Sequence, residues 1–132
     1  MNLDKEALRA IRVEVMQVLY QYDLYRSEKI AFIPRFELEE SEPIFQDIID
    51  HLDEIDHIIE TNLYNYSLYR LSFLDRSIIR LATYELKYTD LAKQVVINEA
   101  IELTKIYTNL DDEKQHKFNN KVIDQIAKAI EG

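Results

Sequence analysis

Four residues near the start of the chain have types and spacing suited to binding a nucleic acid. Lys5, Arg9 and Arg12 lie at positions i, i+4 and i+7, so in a helix all three project from one face. Such a row of cations can contact backbone phosphates. Tyr20 falls farther along roughly the same side and offers a ring for an unpaired base. The alternative is an ordinary solvated surface, in which Glu6 pairs with Arg9.

The net charge of −9 argues against nucleic-acid binding, but the excess acid is concentrated in one region. Ten acidic residues and no Lys or Arg lie between Glu37 and Glu60, which leaves fifteen acids against sixteen bases elsewhere. Such a run is most often the solvated face of a helix. The overall charge therefore does not exclude a nucleic-acid surface on the first helix.

Catalytic and metal-binding residue types are present without the spacing that their chemistry needs. His51 and His57 are six residues apart, which places them about 240° apart around a helix, and His116 is remote. The chain has no cysteine, and its serines sit in no nucleophile motif. We therefore predict no catalytic site, no metal site and no cofactor, and we place the histidines at the surface.

Composition also limits which cellular compartment and which folds the sequence allows. The only glycine is Gly132, so glycine-rich loops that cradle phosphates are excluded. No apolar run is long enough to cross a membrane, and the lack of cysteine suits a reducing cytoplasm. We expect one cytoplasmic domain over residues 1–132.

Apolar residues recur at three- and four-residue steps along most of the chain, which predicts an all-α fold of six or seven helices. Ser41 and Ser72 are candidate N-caps, and residues 29–40 lose the periodicity and are predicted to form a loop. The predicted helices cover about residues 4–26, 41–59, 63–71, 73–88, 94–107 and 113–130.

Within these helices, four segments carry unusually specific polar residues. They read IRVEVMQVLYQYDLY from Ile11, DRSIIRLATYELKY from Asp75, VVINEAIELTKIY from Val95 and KFNNKVIDQIAKAI from Lys117. In this order they resemble the NusB family of bacterial transcription antitermination factors, whose helices read close to D-R-x-I-L-R-x-A-x-Y-E-L, V-x-I-N-E-A-x-E-L-A-K and K-F-x-N-G-x-L-D. The resemblance covers nearly the whole chain except the loop.

The resemblance implies two packed three-helix units and a function without catalysis. Members of this family pair with the small-subunit ribosomal protein NusE, and the pair binds the boxA element of single-stranded nascent RNA. They act in the RNA polymerase antitermination complex, notably on ribosomal RNA operons. Asp75 matches an acidic residue that the family uses toward NusE, although at a helix start it could serve only the helix dipole.

Two departures from the family pattern leave other functions open. Leu8 and Ala10 stand where basic residues are common, and Asn120-Lys121 replaces Asn-Gly. One alternative is a protein-interaction module of the same fold with weak or lost RNA binding. Another is the NusB-like RNA-binding domain of a ribosomal-RNA cytosine methyltransferase, which would need a catalytic domain after residue 132.

Overall fold

A computed structural model describes residues 4–64, 66–108 and 113–131, apart from the side chain of residue 113. The described residues form six α-helices and one 3₁₀ turn, with no strand among them. The all-α prediction is therefore confirmed. The helices are α1 (Lys5–Ser27), α2 (Ser41–Asp50), α3 (Leu52–Thr61), α4 (Phe73–Tyr88), α5 (Lys93–Tyr107) and α6 (Glu113–Glu131), and the 3₁₀ turn is Leu68–Arg70.

Helix α4 is the central element that the other helices pack against. It contacts α1, α3, α5 and α6, and α5 also packs on α6. Helices α4–α6 therefore form one mutually packed unit, while α1–α3 form the other and reach it mainly through α1 and α3. The buried apolar side chains of both units join in one continuous core, because each amphipathic helix must cover its apolar face.

Two helix starts follow from local capping. The Asp4 side chain accepts a hydrogen bond of 2.7 Å from the Ala7 amide at the start of α1. Ser72 caps α4 as predicted, because its hydroxyl accepts from the Asp75 amide at 3.0 Å. Ser41 is different, since it is buried as the first residue of α2, and Glu40 holds the N-cap position with a helical backbone. The prediction of Ser41 as a cap is wrong because a turn already begins before it.

Two predicted helices differ from the structure. The helix expected over residues 41–59 is divided at His51 into α2 and α3. The ring Nδ1 of His51 lies 2.8 Å from the Asp47 carbonyl oxygen. Such a bond from a side chain to the backbone competes with the regular hydrogen bonds of a helix. The helix expected over residues 63–71 is reduced to the 3₁₀ turn in its described part. Ser67 caps that turn by accepting from the Tyr69 amide at 3.2 Å.

Helix α1 ends in a tight turn whose left-handed residue is a lysine. Lys29 has φ 58, and its amide donates to the Arg26 carbonyl at 3.1 Å. The next amide, of Ile30, donates to the Tyr25 carbonyl at 2.9 Å. This is a Schellman motif, in which glycine usually occupies the position of Lys29.

The predicted loop is confirmed as a well-anchored segment along α1, which we call the 30–38 segment. From Ala31 to Leu38 its side chains alternate between exposed and partly buried positions, so every second side chain packs inward. The ring of Phe32 lies 5.0 Å from that of Tyr25, measured between centroids. At the far end, the amides of Glu37 and Leu38 donate to the Glu14 carboxylate at 2.9 and 3.0 Å. The segment is thus fixed to α1 at both ends.

Candidate nucleic-acid interface

Two arginines of α1 meet two glutamates of the later helices in what we call the open cluster (Arg9, Arg12, Glu85, Glu99). Arg12 Nε donates to the Glu85 carboxylate at 2.9 and 3.2 Å, and Arg12 Nη1 lies 3.5 Å from Glu99 Oε1. Arg9 donates to both oxygens of Glu99, from Nη2 at 2.6 Å and from Nε at 3.2 Å. The open cluster therefore joins α1 to α4 and α5.

The ionisable groups of the open cluster have shifted pKa values, some raised and some lowered. Hydrogen bonding and attraction to Glu99 raise the pKa of Arg9. The hydrogen bond from Arg9 lowers the pKa of Glu99 below the usual carboxyl value, although burial acts the other way. Burial raises the pKa of Glu85, and attraction to Arg12 offsets part of that rise. Two bases and two acids thus nearly neutralise each other at this surface.

A cleft of about 380 Å³ opens beside the open cluster. It is bordered by Lys5 and Leu8 of α1 and by Leu91, Val95 and Asn98 near the start of α5. Lys5 is exposed, and the side chain of Arg9 keeps 37% of its surface accessible. Arg12 and Glu99 also line the cleft, and Arg9 is bonded to Glu99. A phosphate group entering from solvent can therefore reach Lys5 directly, while the accessible walls of the cleft are mainly apolar.

The row of three cations expected from the sequence is not uniformly exposed. Lys5 and Arg9 face solvent, but the side chain of Arg12 is only 7% accessible. The physical reason is its position on the apolar side of α1, next to Ile11 and one turn from Leu8 and Val15. Buried there, Arg12 needs carboxylate partners, which Glu85 and Glu99 supply.

Tyr20 lies at the far end of the same helix and is partly exposed. Its ring meets Phe73 edge-on, with centroids 6.3 Å apart. The Arg76 guanidinium in turn lies 5.2 Å from the centroid of Phe73 and 5.0 Å from that of Tyr69. This aromatic surface offers a supported ring on which a base can stack.

Asp75 is buried at the start of α4 rather than exposed on its surface. The Ser72 hydroxyl donates to Asp75 Oδ2 at 2.8 Å, and the Asn119 amide donates to Asp75 Oδ1 at 3.0 Å. Asn119 also donates to the Thr104 hydroxyl at 3.3 Å. Asp75 thereby braces α4 against α6, which is a larger structural role than an interaction with the helix dipole.

A second set of ion pairs, which we call the closed cluster (Asp23, Asp56, Arg76, Arg80), was not predicted. Arg80 Nε and Nη2 each donate to Asp56 at 2.9 Å, and Arg80 Nη1 donates to Asp23 at 2.9 Å. Arg76 Nη1 lies 3.4 Å from Asp23. The side chain of Arg80 is only 1% accessible, so the closed cluster is interior and ties α1 and α3 to α4.

The acidic run between Glu37 and Glu60 is only partly a solvated face. Besides Asp56, two of its acids accept hydrogen bonds from tyrosines of α4: Asp47 from the Tyr84 hydroxyl at 2.6 Å, and Glu54 from the Tyr88 hydroxyl. Burial, followed by the bond to Glu54, raises the pKa of Tyr88 to about 12. The run therefore also anchors α2 and α3 to the central helix.

Among the described residues, no group of three His, Asp or Glu side chains is arranged to hold a metal ion. None of the described helices is both long and apolar enough to span a membrane. The described residues thus form an all-helical protein in which Lys5, Arg9 and Tyr20 are accessible along α1, with an open cleft at the start of that helix.

Comparison with known proteins identifies the family. The model of the NusB family matches residues 9–128. A transcription antitermination protein NusB from a Nitratiruptor species is 38% identical in an alignment of 129 positions, and the match covers 90% of each chain. A NusB from Listeria monocytogenes serotype 4a is 37% identical, over 90% of this chain and 94% of its own. The chain belongs to the NusB family, as its motifs predicted.

Solved structures agree with this assignment. T. maritima NusB superposes with a TM-score of 0.77 and 34% identity, over 97% of this chain and 93% of its own. A crystal structure of the antitermination factors NusB and NusE in complex with dsRNA matches with a TM-score of 0.75 and 27% identity. That match covers 96% of this chain and 99% of the solved one.

Proposed function

We propose that this protein is a non-catalytic, cytoplasmic transcription antitermination factor of one domain, which pairs with NusE and binds boxA-like single-stranded RNA. It would act in the RNA polymerase antitermination complex and support transcription of ribosomal RNA. The observation that carries the proposal is the match, over almost the whole chain, to a NusB solved with NusE and RNA. The Nitratiruptor and Listeria NusB proteins are matched over 90% and 94% of their own length, which favours the factor over the methyltransferase domain.

The proposed RNA surface runs along α1 from Lys5 and Arg9 to Tyr20. A phosphate can replace Glu99 as the partner of Arg9, because the guanidinium stays accessible beside the cleft. Arg12 acts from behind, by adding positive potential and by fixing Glu99. Since the whole chain carries −9, we expect weak RNA binding by the protein alone and much tighter binding once NusE supplies further positive charge.

A salt series on the protein–NusE–RNA complex tests this proposal. Arg9→Ala should weaken RNA binding and flatten the slope of log affinity against log salt by about 0.7, because one phosphate contact is lost. Tyr20→Ala should cost about 1–3 kcal/mol of binding with little change in that slope, since stacking releases no counterions. Lys128→Ala is the control, because this exposed lysine lies on α6, which contributes nothing to the cleft. Wild-type affinity in both α1 variants would refute the RNA surface.

The NusE surface is proposed on the later helices near Asp75, where α4 begins beside α6. Because Asp75 is buried, a lysine there would disrupt the fold and confuse the result. Asp75→Asn keeps the size of the side chain and removes its charge. Weaker NusE binding at unchanged thermal stability would support a direct role for the carboxylate. Unchanged NusE affinity would limit Asp75 to bracing α4.

One observation favours the alternative of a protein-interaction module with weak or lost RNA binding. Glu99 holds both oxygens against Arg9 and also approaches Arg12, so the α1 surface carries less free positive charge than its arginines suggest. The two functions separate in one titration. The module binds NusE without any gain in RNA affinity, whereas the antitermination factor binds RNA far more tightly in the presence of NusE.

A further inference from the structure

A broad groove runs between the second half of α1 and the 30–38 segment. Its volume is about 1000 Å³. One wall is formed by Gln17, Tyr20, Gln21 and Tyr25 of α1, and the other includes Ile33 and Arg35. Tyr20 belongs both to this wall and to the RNA surface proposed on α1, so the two surfaces share that residue.

The groove is preorganised rather than formed by a loose loop. One end of the 30–38 segment is fixed by the Schellman turn, through the bond from the Ile30 amide to the Tyr25 carbonyl. The other end is fixed by the Glu14 carboxylate, which accepts from two successive backbone amides. Between them Phe36 packs on Phe45, with ring centroids 5.6 Å apart. A ligand entering the groove therefore orders little of the chain, which favours affinity.

The local charge around the groove is opposite to that of the whole protein. Residues 17–36 contain three bases and two acids. One of the acids, Asp23, is buried and paired with Arg80, which leaves Glu28 as the exposed acid of this stretch. The three bases, Arg26, Lys29 and Arg35, are all exposed. Arg35 lines the groove itself, whereas Arg26 borders a separate pocket beside Phe45. In a chain of net charge −9, this favours a negatively charged ligand.

The remaining groups suit single-stranded RNA better than an anionic protein surface. Tyr20 and Tyr25 are both partly exposed and can stack on bases. The exposed amides of Gln17 and Gln21 can both donate to and accept from base edges. Ile33, which is 79% exposed, adds an apolar contact. Exposed aromatic rings beside amides and a cation, here Arg35, are a usual means of binding unpaired nucleotides.

We propose that this groove is a second RNA subsite, which receives the continuation of the strand beyond Tyr20. Arg35 contacts a backbone phosphate and Tyr25 stacks on a base. The inference rests on the proposed RNA-binding function and extends the contacted strand along α1. Arg9 and Tyr25 are sixteen positions apart, or about 24 Å along the helix axis, so RNA must exceed a minimum length before it reaches the groove.

The test is a series of single-stranded RNAs, extended one nucleotide at a time in either direction, titrated into the protein–NusE complex. Arg35→Ala should leave the affinity for short RNAs unchanged. Beyond a threshold length it should weaken binding several-fold and lower the salt slope by about 0.7. Arg9→Ala should weaken binding at every length. Lys128→Ala serves again as the exposed cation outside both sites.

Tyr25→Leu provides a second, independent variant. Leucine preserves an apolar contact with Phe32 but removes the aromatic face, so long RNAs should bind roughly five- to hundredfold more weakly. The salt slope should stay constant. Thermal unfolding of each variant checks that the 30–38 segment still packs against α1.

Three outcomes would overturn the inference. If Arg35→Ala and Tyr25→Leu bind every RNA as wild type does while Arg9→Ala weakens binding, the groove is not a subsite but the proposed function stands. If the protein–NusE complex binds no RNA of any length, both fail. If Arg35→Ala weakens binding of NusE without RNA, the groove is instead a protein-docking surface.

Discussion

The open and closed clusters contain the same chemistry, two arginines and two carboxylates, in two different environments. In the closed cluster the side chain of Arg80 is sealed among α1, α3 and α4, with all its bonds inside the protein. In the open cluster Arg9 keeps a large accessible surface beside a cleft. The difference lies in access to solvent rather than in residue type.

The comparison shows that solvent exposure decides whether an ion pair of this protein serves mainly stability or mainly ligand binding. A sealed ion pair cannot exchange its partner for a ligand, and breaking it leaves an uncompensated charge inside the protein. An accessible ion pair contributes little to stability but can exchange its carboxylate for a phosphate. The closed cluster should therefore respond to mutation in folding, and the exposed part of the open cluster in binding.

The largest expected effect tests the closed cluster. Arg80→Ala leaves Asp23 and Asp56 without their main partner, so it should lower the free energy of unfolding by about 3–5 kcal/mol. Urea denaturation measures the change. Arg70→Ala is the matched control, because this arginine is exposed and its guanidinium lies 4.8 Å from the centroid of the Tyr66 ring, a contact whose loss should cost less than about 1 kcal/mol. Similar losses in both variants would contradict the comparison.

A smaller loss of stability is expected for Arg12, which belongs to the open cluster although its side chain is buried. Arg12→Ala removes the partner of the buried Glu85 and one of the two partners of Glu99, which should cost about 2–3 kcal/mol of stability. Arg9→Ala, in the same cluster, should leave the stability nearly unchanged because its side chain is accessible. Equal stability of the two variants would show that the burial of Arg12 does not give it a larger role in folding than Arg9.

The smallest expected effect is a change in how the stability depends on pH when Glu99 is replaced. The pKa of Glu99 is lowered in the folded protein, so its contribution to stability is present above about pH 4.3, the unfolded value, and is lost as the pH falls through the folded value. Urea titrations from about pH 3 to 7 should show wild type more stable than Glu99→Gln near neutrality, with the gap closing in acid.

Glu85 should behave in the opposite way. Its pKa is raised by burial, so its stabilising contribution is present at low pH and is lost as the pH rises through the folded value. The stability of wild type relative to Glu85→Gln should therefore fall as the pH increases. If the two glutamate variants show the same pH trend, the electrostatic division within the open cluster is incorrect.

Periodicity and motifs were enough to predict the fold class, the family and most helix bounds. Helix α4 was predicted at the residues it occupies, because its cap and its apolar spacing are both local signals. The division at His51 was missed because the apolar period of the sequence continues unbroken through that residue. Local pattern records which face of a helix is apolar but not where the backbone departs from helical geometry.

The candidate site was predicted less completely, because ion pairing depends on tertiary contacts. The partners of Arg12 are 73 and 87 positions away in the chain, and no local spacing reveals them. A signal did exist, since Arg12 and Glu85 both fall within apolar faces, where an unpaired charge would be costly. Charges on apolar faces indicate buried pairs even when the partner is unknown.

The turn after α1 shows how a chain with one glycine, at its last position, makes a sharp reversal. A left-handed residue such as Lys29 costs roughly 1–2 kcal/mol when it carries a Cβ. The same Cβ narrows the range of conformations available before folding, an advantage of about 0.4–1 kcal/mol over glycine. The restricted unfolded chain thus offsets part of the local strain. The stability of this turn therefore depends on the unfolded state as well as on the contacts of the folded one.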